Sequence, residues 1–448
     1  MGGKRIDQVA VGGPFVFPDG TPMDPWFREE PVPSLASYER RYPLDANGIL
    51  PGREVQTEKI QALIDRIAME GGGVLIVPQG HYYSGALFFR QGVDLYLAEG
   101  GVLYGSEDIR DFPLCETRIE GQSCLYFPAL INAEGLCHFT IFGEGIIDGN
   151  GRKYWEEFWF RRSWNPACTN KDEQRPRLVF LSHCSDVLVT GVTLQNSPFW
   201  TNHLYQCDHV RYLGCKILSP VSPVKAPSTD AIDIDACTDV SIRHCYMAVN
   251  DDAVALKGGK GAWADEAPEN GPNERILIED CVYGFCHGCL TFGSESIYDR
   301  NIVFRNVRVD TSYNLLWMKL RPDTPQHYAY VLMENITGKA ASFLNIHPWS
   351  QFYDLQGRTD LPISVCEQVR IRNCRFTCDN FFHVQADEEH YHLKDFSLES
   401  LDITGTQVEI DEAAVENLYL KDIRLTKKEG IDYPDSVTTL EDEAAKKR

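Results

Sequence analysis

Val187-Leu188-Val189-Thr190-Gly191-Val192, Val210-Arg211-Tyr212-Leu213-Gly214-Cys215 and Val240-Ser241-Ile242-Arg243-His244-Cys245 are three copies of one short pattern, apolar at i, i+2 and i+5. Further copies open at Ile276, Ile302, Val331, Val369, Phe396 and Leu418, so nine recur at intervals of 22 to 38 residues. Alternation with period 2 is the pattern of a strand that buries one face. Each copy is too short to bury that face alone, and stacking the copies turns their inward positions into one continuous core. The prediction is an all-β fold, a single-stranded parallel β-helix.

A solenoid grows by adding coils, so 448 residues do not demand a split. The reading is an extended N-terminal segment over 1–56, rich in Pro and Gly, then a β-helix domain over 57–432 and a polar tail over 433–448. At the start of the second segment Ile60, Leu63, Ile64, Ile67 and Ala68 fall at helical spacing. That predicts a capping helix with Thr57 as N-cap, ended by Gly71-Gly72-Gly73, over the open end of the solenoid. Two insertions stand out, 152–176 with its many aromatics and the Gly/Pro/Asp-rich 258–273 around Trp263. Loops of that length usually serve a site.

The formal net charge is −22 and no Lys/Arg-rich run interrupts it, which disfavours nucleic acid and anionic membrane as partners. No apolar run reaches the roughly 18 residues of a membrane span. The start, Met1-Gly2-Gly3-Lys4-Arg5, lacks the apolar stretch of a signal peptide, and the chain as given reads as cytoplasmic. Fifteen cysteines include Cys215, Cys245, Cys281 and Cys374 at the inward i+5 site, where they are read as small core residues. Reduced thiols favour an intracellular compartment.

Aligning the coils on Ile232, Val254, Leu290 and Leu316 sets Asp230 beside Asp252 in one column, and Asp251 beside His287 in the next. Neighbouring strands lie about 4.8 Å apart, so three carboxylates and a histidine converge. An adjacent Asp-Asp is ordinarily a solvated turn and a lone His a structural one. It is the shared register that gives Asp230, Asp251, Asp252 and His287 a functional reading. Carboxylates this crowded do not all ionise easily, so one can protonate a leaving group while others hold a water, the division of labour of glycoside hydrolysis.

Lys257 aligns with Lys319, and Trp317, Lys319 and Arg321 share a face by period 2. An aromatic ring to stack a hexose and cations to meet a carboxylate suit a sugar-acid site. Asp233 and Asp235 alternate on one strand face, either as substrate contacts, with Asp233 the candidate, or as a solvated ladder. Cys286-His287-Gly288-Cys289 lacks a second CxxC, and on a strand its two thiols would point to opposite faces, so a zinc site is not expected. Glu388, His390 and His392 read as a solvated polar loop, and Gly258-Gly259-Lys260-Gly261 lacks the spacing of a phosphate loop. No cofactor and no metal is expected.

At these residues the chain resembles the polygalacturonases of glycoside hydrolase family 28, the pectinase group with a right-handed parallel β-helix. The likeness runs from about residue 57 to 340, through Gly143-Glu144-Gly145-Ile146-Ile147-Asp148-Gly149 and Asn196-Ser197-Pro198-Phe199-Trp200. The family's Asn-x-Asp stands here as Ser228-Thr229-Asp230, its Asp-Asp as Asp251-Asp252, its Gly-His-Gly as Cys286-His287-Gly288 and its Arg-Ile-Lys as Trp317-Met318-Lys319. The resemblance implies an inverting hydrolase without metal. It implies Asp251 as general acid, Asp230 and Asp252 as the pair activating water, His287 as support for the acid, and Lys319 as a substrate contact.

Trp317 replaces the family's Arg, which removes a contact to a galacturonate carboxylate that Arg321 could restore from the same face. The expected substrate is therefore an oligosaccharide from pectin or rhamnogalacturonan that yields a terminal galacturonic acid or related sugar. A neutral terminal sugar such as α-L-rhamnose stays open, as do a β-helix polysaccharide lyase using Ca²⁺ and a catalytically dead binding scaffold. Strict column geometry gives a carboxylate gap of about 5 Å, nearer the retaining range, so inversion rests on the resemblance. The insertion 152–176, the Trp263 loop and the N-terminal segment are expected to wall off one end of the groove, which makes the enzyme exo-acting.

Overall fold

The nine copies become the second strand of successive rungs, and the pattern is also the register. Val187 pairs with Val210 and Val210 with Val240. Farther on, Ile276, Ile302, Val331, Val369 and Phe396 follow one another across parallel strands. Each copy is bracketed by two residues of left-handed backbone. The residue before it is Asp186, His209, Asp239, Arg275, Asn301, Tyr330, Gln368, Asp395 or Asn417, all with φ of 52–59°. The residue at i+4 is Gly191, Gly214, His244, Asp280, Asn306, Asn335, Asn373, Ser400 or Asp422, again with positive φ. These are the corners that swing the chain from one strand to the next, and Gly, Asn and Asp are common there because they enter that region at least cost.

The computed structural model describes residues 15–349 and 353–430. The expected tail over 433–448 lies outside the described residues, as do the first fourteen of the N-terminal segment. The chain forms two compact units, 28–251 and 252–448 with 1–27, and the division falls inside the stretch read as one β-helix domain. Both units are lengths of right-handed parallel β-helix. Among the described residues no helix is long and apolar enough to cross a membrane.

In the unit 28–251 a rung has three strands. Val179–Ser182, Ser185–Thr190 and Thr193–Gln195 make one; Asn202–Tyr205, Asp208–Leu213 and Lys216–Leu218 make the next. Helix α1 (Thr57–Met69) buries Ile60, Leu63, Ile64 and Ile67 against the first strands. Its N-cap is Gln56 rather than the expected Thr57, whose hydroxyl instead accepts from Gly85 N at 2.7 Å. The helix ends where expected, and a Cβ on Gly72 would stand 2.6 Å from the carbonyl oxygen of Gly92. The insertion 152–176 is not a loop throughout but carries helix α2 (Arg152–Trp164), which no helical period marks because its aromatics lie all round it: Tyr154, Trp155 and Phe158 are buried while Phe160 and Trp164 are exposed.

In the unit that begins at 252, successive strands fuse. Strands of 12, 22, 21 and 17 residues (Tyr298–Val309, His327–Pro348, Ser364–Val384, Tyr391–Gln407) replace separate short ones. Of the N-terminal segment only the part up to residue 27 belongs to this unit, where Phe17, Met23 and Phe27 pack on Leu277 and Val303. Cys215, Cys245, Cys281 and Cys374 are buried core residues, as expected.

Candidate active site

Asp230 closes a loop that runs from Ser219 and opens the strand Ile232–Asp235. The loop is held by its own polar groups. Ser219 Oγ lies 2.6 Å from Thr229 Oγ1, and Thr229 Oγ1 donates to Ala226 O at 2.9 Å. Asn250 donates through its backbone N to Ser219 Oγ and through Nδ2 to Ala226 O. Arg175, fully buried between the rings of Phe158 and Phe199, donates to Pro227 O at 2.7 Å. Burial pulls the pKa of Arg175 down to about 10, a range in which it stays charged at neutral pH. Ser228 has φ of 54°, a conformation Asn enters more readily than Ser, which accounts for the Asn of the motif it departs from. Asp230 is buried and Asp251 half-buried, and each brings a carboxylate oxygen within 4.8 Å of the other.

An antiparallel hairpin, Cys115–Ile119 with Gln122–Tyr126, belongs to the same unit. Its Ile119 and Tyr126 pack with Phe199 and Trp200. Arg118 reaches from it to Asp235, with Nε 2.7 Å from Oδ2 and Nη2 3.1 Å from Oδ1, and the pair is fully buried. His203 Nε2 meets the same carboxylate at 3.2 Å, and Arg177 lies 2.6 Å from His203 Nδ1 while donating to Arg118 O. Burial raises the Asp235 pKa, but Arg118 and His203 outweigh it and hold the carboxyl below its ordinary value. Burial takes His203 the other way, down to about 4, so the ring is neutral at pH 7.

Asp233 pairs in register with His203 and has no exposed surface. It is neither the solvated ladder nor the accessible substrate contact the sequence suggests. The hairpin places Arg118 on Asp235, two positions along the same strand face, and its only sequence signal is the Glu120-Gly121 turn, both residues with positive φ, between two polar-alternating strands.

Asp252 opens the second unit, peptide-bonded to Asp251. Its Oδ2 accepts from Lys319 Nζ at 2.7 Å, and both side chains are buried. A Cβ at Gly288 would stand 2.8 Å from Asp252 Oδ1 and 2.1 Å from Thr291 Oγ1, so the residue after His287 must be glycine for this carboxylate to lie where it does. His287 is half-buried, edge-on to Phe285, and its carbonyl takes hydrogen bonds from the backbone N and Nδ2 of Asn314. The alignment on Val254, Leu290 and Leu316 is the observed register.

The remaining expected contacts divide. Trp317 is half-buried, 6.1 Å from Trp349 in an edge arrangement, with Lys319 Nζ 4.0 Å from its centroid. Lys257 is buried on Glu295 at 3.2 Å. Arg321 does not offer its fork in place of the missing Arg: it is buried and bidentate on Asp323, at 2.8 and 3.0 Å. Cys286 and Cys289 do not point apart. Cys286 lies in the turn before the strand Gly288–Phe292, so the thiols come within 3.7 Å, and burial drives Cys286 far above its ordinary pKa. His390 is engaged by Asp387 at 3.0 Å.

The motif Gly143–Gly149 has a structural role. Asp148 accepts from Gln195 Nε2 and Asn196 Nδ2 at 2.6 and 2.8 Å and ties adjacent rungs. It faces a cleft of about 330 Å³ with Tyr104, Arg152 and Pro220.

The family described as glycosyl hydrolases family 28 matches residues 115–342. A probable polygalacturonase of Vitis vinifera is 30% identical over 264 residues, 56% of this chain and 51% of that protein. A polygalacturonase of Ralstonia solanacearum is 27% identical over 53% of this chain and 50% of its own length, so the match spans about half of such relatives. Among solved structures, the hyperthermoactive exopolygalacturonase of Thermotoga maritima aligns over 89% of this chain and 94% of its own, with TM-score 0.62 and 22% identity. The family 28 exopolygalacturonase of Yersinia enterocolitica aligns over 88% and 79%, with TM-score 0.62 and 16% identity. At these identities the structures establish a shared fold.

Proposed function

The chain belongs to glycosyl hydrolases family 28, and from that premise we propose that it removes a terminal galacturonic acid, or a related sugar, from the end of short pectin- or rhamnogalacturonan-derived oligosaccharides. Asp251 acts as general acid on the leaving glycosidic oxygen. Asp230 and Asp252 position and deprotonate the water that adds to the anomeric carbon as the C–O bond breaks, and His287 supports the acid. The water's proton goes to a carboxylate and the acid's proton to the leaving alcohol, so no other reactant is needed. The closeness of Asp230 and Asp251 supports this division of labour, since two carboxylates within 4.8 Å oppose each other's ionisation. One displacement inverts the anomeric centre, a feature taken from the family likeness.

What supports end-on action is the hairpin Cys115–Tyr126, pinned by the buried Arg118–Asp235 pair to the strand that Asp230 opens. Product profiles test it. One monosaccharide released from the first time point is the expected result. Early mixed oligomers with a rapid fall in pectin viscosity would overturn the exo reading. Replacing Thr117–Leu125 by a short Gly-Ser turn should move the profile toward internal cleavage.

A further inference from the structure

Beyond Asp252, the outward strand positions carry aromatic and imidazole rings. Trp317 pairs in register with Asn345, and Asn345 with His383; Lys319 pairs with His347. The rings of His347 and His383 are 4.9 Å apart. Trp349 follows directly, its backbone N on Leu320 O, and leans edge-on to Trp317 with Lys319 Nζ 5.4 Å from its centroid. Trp317, Trp349 and His347 are half-buried and His383 is exposed, so ring surface remains for a ligand.

The cations here are already committed. Lys319 holds Asp252, Lys257 holds Glu295, and Arg321 holds Asp323, each at 3.2 Å or less. All three cations have buried side chains, so transferring one to a substrate carboxylate would strip a buried acid of its partner. A uronate on this shelf would have to share one of these cations with the buried acid it already holds. A sugar without charge needs only a ring to cover its C–H face and neutral donors and acceptors for its hydroxyls, which indoles and imidazoles supply.

We propose that one of the two sugars flanking the cleaved bond is an uncharged pyranose, held on Trp317 and Trp349 beside Lys319, with His347 and His383 meeting its hydroxyls. This rests on the hydrolase reading and narrows it: the preferred bond joins a uronate to a neutral sugar.

The test separates the two. In the Asp251→Asn protein, tryptophan emission is titrated with methyl α-L-rhamnopyranoside, methyl α-D-galactopyranoside and the methyl glycoside of galacturonic acid. A neutral glycoside should bind about tenfold or more tightly than the uronate, about 1.4 kcal/mol. Trp317→Ala and Trp349→Ala should each abolish that preference, with Trp317→Phe retaining most of it. Uronate binding that is as tight as that of the neutral glycosides and is lost in Trp317→Ala or Trp349→Ala, or a neutral preference untouched by both alanine variants, overturns the subsite. Wild-type turnover is read separately, on digalacturonate and on a galacturonate–rhamnose disaccharide in both linkage orders. Faster cleavage of digalacturonate contradicts the subsite and keeps the hydrolase. A chain that binds neutral glycosides through Trp317 yet cleaves nothing contradicts the hydrolase and keeps the subsite.

Discussion

Lys319 Nζ and Asp252 Oδ2 meet at 2.7 Å with both side chains buried, and the lysine lies over the Trp317 ring. Removing one partner leaves a buried charge uncompensated, which typically costs about 3–5 kcal/mol. Lys319→Met should therefore lower the urea midpoint and reduce kcat/KM by about 10²-fold or more, since a proposed water-activating carboxylate loses its anchor. Adding Asp252→Asn should return much of the stability and none of the activity. A single variant as stable and active as wild type would show the pair to be incidental.

Stability should fall on mild acidification because of His203. Burial pushes its pKa from 6.5 to about 4; Asp235 opposes this, and Arg177 and Arg118 add to it. The folded-state value is depressed, so the contribution is complete above pH 6.5 and is lost as pH falls toward 4, where the unfolded chain takes up a proton the folded one refuses. Each pH unit of displacement is worth about 1.4 kcal/mol, which makes the total about 3 kcal/mol. Urea midpoints at pH 7, 5.5 and 4.5 check it: His203→Gln should flatten the slope in this window, and an unchanged slope would remove His203 from the account.

Chelation should leave activity unchanged, because carboxylates and water suffice for the proposed hydrolysis. The measurement is turnover after dialysis against EDTA, with unsaturated products followed by their ultraviolet absorbance. Loss of activity restored by Ca²⁺, together with that absorbance, would transfer the chain to elimination chemistry.

The rungs were legible because inward positions accept only apolar side chains, so Val187, Val210 and Val240 announce their own register. The left-handed corners were legible in principle, since Gly, Asn, Asp, His or Ser stands at i+4 of every copy. The column of Val254, Leu290 and Leu316 followed from the same frame. The hairpin Cys115–Tyr126 did not, because its polar alternation resembles a solvent-exposed loop and its purpose appears only when Arg118 meets Asp235, 117 residues away. Arg321 misled for a related reason. Strand periodicity puts it on the face of Lys319, but a partner two residues on, Asp323, takes the fork. Periodicity tells which way a side chain leaves the strand and says nothing of the ion pair it then makes.

The division of labour among the carboxylates is tested most directly by Asp251→Asn on two substrates, an unactivated oligosaccharide and an aryl glycoside of the same terminal sugar whose leaving group needs no proton. If Asp251 is the acid, the variant keeps its fold and loses about 10²–10⁴-fold or more on the oligosaccharide, while the aryl glycoside is cleaved at a rate much nearer wild type. Near-normal cleavage of the unactivated oligosaccharide, or an equal loss on both substrates, would contradict that assignment.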